Sequence, residues 1–337
     1  MTGSVLANRL QGGAGNDSLT GAGGNDTLDG GDGADVAIFA YDSAGLTVTR
    51  SGAGYVLDTG TEQDLVVNVE RFEFRDGALS ADQIAARAGP VSGPTGTPGD
   101  DVLIGTEDAE SLDGFDGNDR LVGAGGNDSL DGGPGADTLN GGDGDDRIIG
   151  GPAADDLRDV IYAGAGHDSV DAGAGNDLVF GQAGNDTIAG GAGVDELQGQ
   201  DGDDVITGSN YSDLVFGGAG NDFVNGGFGH DRINGGSGAD RFFHVGVEGH
   251  GSDWVQDYVA GDGDVLLWGG GPATASDFQV NLAHTANAAG ERSGDDGVQE
   301  AFVIYKPSEQ ILWALVDGAG QDQINIQIGG AVFDLLA

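Results

Sequence analysis

Aspartate recurs every ninth residue over much of this chain, and that spacing is the first chemistry the sequence offers. From Gly96 onward, the sixth residue of each nine-residue unit is acidic: Asp101, Glu110, Asp119, Asp128, Asp137, Asp146, Asp159, Asp168, Asp177, Asp186, Asp195, Asp204, Asp213, Asp222, Asp231 and Asp240. Asp17, Asp26 and Asp35 keep the same spacing nearer the start. The eighth residue is apolar in every unit, from Leu103 and Leu112 through Ile188 and Val215 to Phe242. Glycines crowd the first four places. Carboxylates on a fixed repeat, among glycine turns that expose backbone carbonyls, make an array of hard oxygen donors. Ca2+ takes six or more such oxygens in flexible geometry, whereas Mg2+ prefers a strict octahedron and Zn2+ wants His or Cys.

The unit reads G-G-x-G-x-D-x-U-x, with U apolar. Its first six residues are turn chemistry, since glycine tolerates positive φ and close backbone approach. The last three predict a short strand whose middle side chain points inward. Two units make one coil of two strands and two turns. Units begin at 96, 105, 114, 123, 132, 141 and 150, then at 163, 172, 181, 190, 199, 208, 217, 226 and 235. The unit at 150, GGPAADDLRDVIY, is overlong but still ends in phase at Asp159 and Ile161. Stacked ~4.8 Å apart, the coils predict a roll roughly 38 Å long. A shorter array starts at Gly12, Gly21 and Gly30, preceded by a degenerate unit, Gly3 to Gln11, with Asn8 and Leu10 in phase. Each unit buries about one aliphatic side chain, worth ~1.5–3 kcal/mol. Ordering nine backbones costs ~1–2 kcal/mol each, and stacked carboxylates repel. The roll therefore needs a cation.

Composition agrees. Of 337 residues, 69 are Gly and 57 are acidic against 12 Lys and Arg, a formal charge of −45. That charge excludes nucleic acid as a direct partner. There is no Cys, hence no disulfide or thiolate site. No apolar run is long enough to predict a membrane span, and no Sec-type signal is visible at the start.

The units resemble the RTX, or hemolysin-type, calcium-binding nonapeptide. The resemblance covers residues 12–38 and 96–243. It implies an all-β, right-handed parallel β-roll in two modules, each followed by a small β-rich cap, with several Ca2+ ions as the only cofactor. In that family each ion sits between loops one coil apart, bound by Asp side chains and loop carbonyls of both. The implied metal ligands are Asp17, Asp26, Asp35, Asp101, Asp119, Asp128, Asp137, Asp146, Asp159, Asp168, Asp177, Asp186, Asp195, Asp204, Asp213, Asp222, Asp231 and Asp240. The implied carbonyl donors are Gly13, Gly15, Gly24, Gly117, Gly126, Gly133, Gly135, Gly142, Gly144, Gly166, Gly175, Gly184, Gly193, Gly202, Gly218, Gly220, Gly227 and Gly229. Asp168, Asp186 and Asp204 fall on one edge of the roll, and Asp177, Asp195 and Asp213 on the other. Three loops depart from the pattern: GTEDAE with Glu110, the enlarged loop at 150, and GSNYSD with Tyr211 in place of a glycine.

The expected division is 1–38 short roll, 39–89 cap, 90–95 linker, 96–243 main roll and 244–337 terminal cap. Within the first cap LTVTR and YVLD read as strands, DLVVNVERFEFRDG as a strand pair, and ADQIAARA as a short helix capped by Ser80. After Phe243, GSDWVQDYVAGDGDVLLW offers Asp253, Asp257 and Asp264 as further candidate ligands. The tail, with AFVIY, ILWALV, INIQI and AVFDLLA, resembles the uncleaved C-terminal signal of type I secretion substrates, which implies an ABC exporter as partner.

Catalytic signatures are missing. None of His167, His230, His244, His250 and His284 lies in HExxH, and no G-x-S-x-G elbow occurs. Trp254, Trp268 and Trp313 read as cap core. Tyr162, Phe180 and Phe216 close their units at the outward ninth place. The expectation is a secreted, extracellular or surface-associated calcium-binding β-roll that folds on meeting extracellular Ca2+ and is not an enzyme. The rivals are a carbohydrate-binding or adhesive module that recognises a polysaccharide or cell surface, and a secreted enzyme with a cryptic site in the caps.

Overall fold

The computed structural model describes residues 1–51, 54–88, 91–151, 157–247, 250–283 and 298–337. It divides the chain into two units, Met1–Val91 and Ser92–Ala337. Both are parallel β-rolls.

In the larger unit, two faces, parallel except at their closing strands, carry 12 strands each among the described residues. Strands on one face pair 18 residues apart: Leu178 with Glu196, Val179 with Leu197 and Phe180 with Gln198. Across the enlarged loop the step becomes Thr138 to Val160, and the register then resumes. The eighth-place side chains, from Leu112 through Leu139, Ile188 and Val215 to Phe242, form one buried column between the faces.

The strands are longer than the three residues expected. Leu178–Ala183 and Glu196–Asp201 run through the first three places of the next unit. The first-place glycine is buried within the strand because nothing larger fits. A Cβ on Gly181 would lie 2.5 Å from Asp186 Oδ2 and 2.7 Å from the Gly199 carbonyl oxygen.

Residues 91–95, expected as linker, instead form the strand Val91–Thr95 at the edge of one face. Pro94 is tolerated there because an edge strand leaves one side of its ladder unpaired. Beyond Phe243 the roll continues. Asp253–Val255 and Val265–Trp268 extend the two faces, followed by Gln310–Leu315 and Asn325–Ile328. Antiparallel strands then close the end: Phe278–Ala283 and Glu300–Tyr305 on one face, Ala331–Asp334 on the other. Trp313 is fully buried, and Trp268 packs on Phe278 and Tyr305. His244 and His250 pack in this core with their rings tilted by 58°, and His244 lies edge-on to Trp313. His284 lies outside the described residues.

The smaller unit repeats the plan. DLVVNVERFEFRDG, expected as a strand pair, forms Gln63–Val67 and Arg71–Phe74, which do not pair with each other. They pair in parallel with Thr27–Asp32 and Val36–Ile38, adding one more coil to the roll. Alternation shows which side chains face inward and leaves the neighbouring strand open. Thr47–Ser51, Gly54–Asp58 and Gly77–Ser80 add antiparallel edges. The helix Ala81–Ala88 starts at a capping box in which Ser80 Oγ accepts the Gln83 N–H and Gln83 Oε1 accepts the Ser80 N–H.

Candidate calcium sites

The sixth-place acids stand at the mouth of each strand, where the loop turns back into a face. From Asp119 onward each carboxylate accepts a backbone N–H from the sixth-place residue one coil earlier. On one edge Asp146 N donates to Asp168 Oδ1, Asp168 N to Asp186 Oδ1 and Asp186 N to Asp204 Oδ1, at 2.8–2.9 Å. On the other, Asp159 N donates to Asp177, Asp177 N to Asp195 and Asp195 N to Asp213, all at 2.9 Å. One ladder runs from Glu110 to Asp264 and the other from Asp101 to Asp231. Asp159 keeps its rung, so residues added before it leave the ladder intact.

One oxygen of each carboxylate is thereby used. In Asp119, Asp128, Asp146, Asp168, Asp186, Asp195, Asp204, Asp213, Asp222, Asp231 and Asp240 the second oxygen, Oδ2, is buried and meets no hydrogen-bond donor. None of these residues is more than 3% exposed. A buried carboxylate oxygen without a donor is costly unless a positive charge meets it. Burial accordingly pushes these carboxyls up from the ordinary 3.8, to about 6 in Asp128, Asp168, Asp204 and Asp222 and to about 7 in Asp146, Asp213 and Asp240.

Carbonyl oxygens complete the donor set. At Gly217 a Cβ would meet Asp222 Oδ2 at 2.3 Å and the Gly235 carbonyl, one coil on, at 2.5 Å. Gly181 and Gly199 repeat this arrangement. First-place carbonyls thus neighbour the open carboxylate oxygens, a role that sequence reasoning missed. The expected second- and fourth-place carbonyls point along the stack. Gly142 O approaches Gly164, Gly166 O approaches Gly184 and Gly184 O approaches Gly202, each near enough to bar a side chain. Gly13, Gly15, Gly117, Gly126, Gly144, Gly175, Gly202, Gly218, Gly220 and Gly229 do the same toward the loop 18 or 22 residues on. In the departing loop at 208, Tyr211 takes the glycine's positive φ, 76°, and its carbonyl approaches Gly229, so the site keeps its frame. Among the described residues no three acidic or histidine side chains converge on a point. A cation must therefore draw on carbonyls as well as carboxylates. The donors present are all oxygen, and they fit Ca2+.

Three expected ligands have hydrogen-bonded oxygens where the others have an open one. Asp257 accepts the Gly235 and Gly236 N–H groups, and Asp264 accepts those of Asp240 and Val259, so both oxygens of each are engaged. Asp101 Oδ2 is engaged by Thr97. Asp253 is fully buried beside Asp231, and burial, with the Asp231 charge second, pushes its carboxyl well up. In the smaller unit Asp35 Oδ2 is open. There the ladder runs on to two acids the sequence reading did not single out. Asp64 accepts the Asp26 N–H and is met on its other oxygen by the Tyr41 hydroxyl, and Glu70 accepts the Asp35 N–H. An acid directly before an x-U-x triplet, DLVV and ERFE, was the available signal.

At the fifth place a second ladder runs outside the first. Asp145 Oδ1 accepts the His167 N–H, His167 Nδ1 the Asn185 N–H and Asn185 Oδ1 the Asp203 N–H. Tyr162 and Phe180 stack on each other at 5.1 Å and 10°, so their faces cover one another.

The model of the RTX calcium-binding nonapeptide repeat matches residues 2–37, 95–130, 122–157, 154–188, 180–210 and 207–242. A comparison with curated proteins gives no match. Among solved structures, the extracellular lipase LipA from Serratia marcescens aligns over 94% of this chain at 15% identity with a TM-score of 0.17, too slight a likeness to carry an argument; this chain spans 37% of its length. With more than half its residues in matched repeats and a ladder of oxygen donors in each array, the chain belongs to the family of RTX calcium-binding nonapeptide repeat proteins.

Proposed function

We propose that this calcium-binding roll is secreted, folds as it takes up extracellular Ca2+, and acts without catalysis. The observation that carries the reading is the column of buried carboxylate oxygens that no protein group satisfies. Bound Ca2+ supplies the charge that these oxygens lack. The chain's own part is to hold each carboxylate by its Oδ1 rung and to keep a glycine where the other oxygen must enter. Without the ion the ladder repels itself, and a chain of net charge −45 stays expanded. In the cytosol, where calcium is scarce, such a chain can be threaded through a type I ABC exporter. Outside, millimolar calcium binds only the folded form and draws the equilibrium toward it.

Calcium titration followed by circular dichroism and small-angle scattering tests the reading. The expected result is gain of β signal and a smaller radius at ~10⁻⁴–10⁻³ M calcium, the range of extracellular modules. A chain that shows the same spectrum and radius in chelator refutes it. A broad hydrolase screen and a polysaccharide pull-down, both expected negative, test the claims of no catalysis and no glycan partner.

A further inference from the structure

Both arrays open on loops that differ from the others at one place. At the second position of a unit the backbone is left-handed almost throughout, with φ of 112° at Gly142, 126° at Gly164, 78° at Gln182 and 86° at Ser209. Thr97 and Thr106 hold this position in the first two units of the larger array, and neither has a positive φ. A β-branched residue strongly disfavours that region. Freed from it, each threonine engages the acid of its own loop. Thr97 N and Oγ1 both donate to Asp101 Oδ2, at 2.6 and 2.9 Å. Thr106 N donates to Glu110 Oε2 at 2.8 Å, and its hydroxyl donates to Oε1. The degenerate unit that opens the smaller array repeats the device with an uncharged partner: Ser4 N donates to Asn8 Oδ1, and Asn8 Nδ2 donates to Ser4 Oγ at 3.2 Å.

These donors sit where later loops have none. At Gly114 a Cβ would meet both Asp119 Oδ2 and the Gly132 carbonyl at 2.5 Å. At Gly96 it would meet the Gly114 carbonyl, with no Asp101 oxygen among its nearest atoms. At Gly105 it would meet Glu110 Oε2 and the Gly123 carbonyl, both at 2.5 Å, as in the later loops, and there it is the Thr106 N–H on Oε2 that sets the loop apart. A hydroxyl hydrogen aimed at a carboxylate oxygen occupies its lone pair and places positive partial charge where a cation would approach.

We propose that the residue at the second place decides whether a loop takes calcium. Thr97 and Thr106 satisfy Asp101 and Glu110 by hydrogen bonding, the opening coil of the larger array closes without an ion, and loading begins at Asp119. This rests on reading the later carboxylates as calcium ligands.

The test compares full-length parent, Asp101→Asn/Glu110→Gln and Asp119→Asn/Asp128→Asn. Bound calcium per chain is counted by atomic emission after equilibrium dialysis, and the calcium midpoint is read by circular dichroism. The first double variant is expected to keep the parent's ion count and a midpoint within twofold. The second is expected to lose at least one ion, with its midpoint raised severalfold. Loss of an ion from Asp101→Asn/Glu110→Gln overturns the proposal while leaving the calcium reading in place. Full ion counts in both variants overturn the proposal and the calcium reading together.

Discussion

Replacing Asp213 by Asn separates the two tasks of a ladder carboxylate. Its Oδ1 accepts the Asp195 N–H at 2.9 Å, while its Oδ2 is buried without a donor. Asn keeps the acceptor and the shape and removes the charge. Burial, reinforced by the charges of Asp195 and Asp231, pushes the Asp213 carboxyl up to about 7 from 3.8, although the Asp195 N–H pulls the other way. With the folded value above the unfolded one, the metal-free roll holds this proton more tightly than the open chain does. The resulting stability is present below 3.8 and is lost as pH climbs toward about 7. A shift of about three units corresponds to ~4 kcal/mol, and screening by water at the loop rim reduces that to roughly 2 kcal/mol. In chelator at pH 7, Asp213→Asn should therefore fold more readily than the parent by about 2 kcal/mol, and the gap should close near pH 4. With calcium the order reverses. Loss of a charged ligand, on the order of 1.5–3 kcal/mol, raises the calcium midpoint about tenfold or more. Asp213→Ala loses the Oδ1 acceptor too and leaves a buried N–H unmet, which costs ~1–3 kcal/mol, so it falls below Asn in either condition. Folding forced by an osmolyte in chelator, followed by circular dichroism at both pH values and paired with a calcium titration, reads all of this. An Asn variant that folds no better than the parent in chelator at pH 7, or whose calcium curve overlays the parent's, refutes the reasoning.

Acidifying the calcium-free chain from pH 7 to 5 should induce β structure with net proton uptake, because the folded carboxyls of Asp146, Asp213 and Asp240 titrate near 7 and those of Asp128, Asp168, Asp204 and Asp222 near 6; a potentiometric titration that shows no uptake contradicts it. Gly184→Ala should abolish the calcium-induced transition or raise its midpoint severalfold, since the new Cβ would lie 1.7 Å from the Gly166 carbonyl oxygen at a φ of 127°. Gly45→Ala, also at positive φ but with open space around it, should cost only ~1–2 kcal/mol by thermal melting. Deleting residues 300–337 removes the buried Trp313 and Leu315 and should raise the calcium needed to fold the purified chain. Deleting only 331–337, where Val332, Phe333 and Leu336 are exposed, should leave the calcium curve in place and block export from a host carrying a type I exporter.

The nine-residue phase made the roll legible, because it sets both which side chain enters the core and which carboxylate stands above which. Asp168, Asp186 and Asp204 share one ladder for that reason. Where the phase lapses, composition alone could not say which strand a segment joins, and the coil built from Gln63–Val67 and Arg71–Phe74 read as a strand pair. Asp64 and Glu70 went unnoticed because their loops lack the first- and fourth-place glycines that mark the others. The two oxygens of a carboxylate look alike in a sequence. Only the positions of Thr97, Val259 and Gly236 reveal that Asp101, Asp264 and Asp257 have theirs engaged. The first-place glycine read as turn chemistry and proved to be the gap through which the open oxygen enters.

Because strand pairs and carboxylate rungs in the larger array join residues 18 positions apart, save across the enlarged loop, the array has an edit length. Excising residues 181–198 sets Gly199 in the place of Gly181, and each remaining side chain meets a neighbour of the kind it had before. Excising nine residues instead exchanges the two edges downstream, so that Asp204 would stand above Asp177 and the terminal strands would arrive on the wrong faces. Gene-level duplication or loss is thus neutral to the fold in steps of 54 nucleotides and disruptive in steps of 27. The length of this protein can drift by whole coils while its two ends stay as they are.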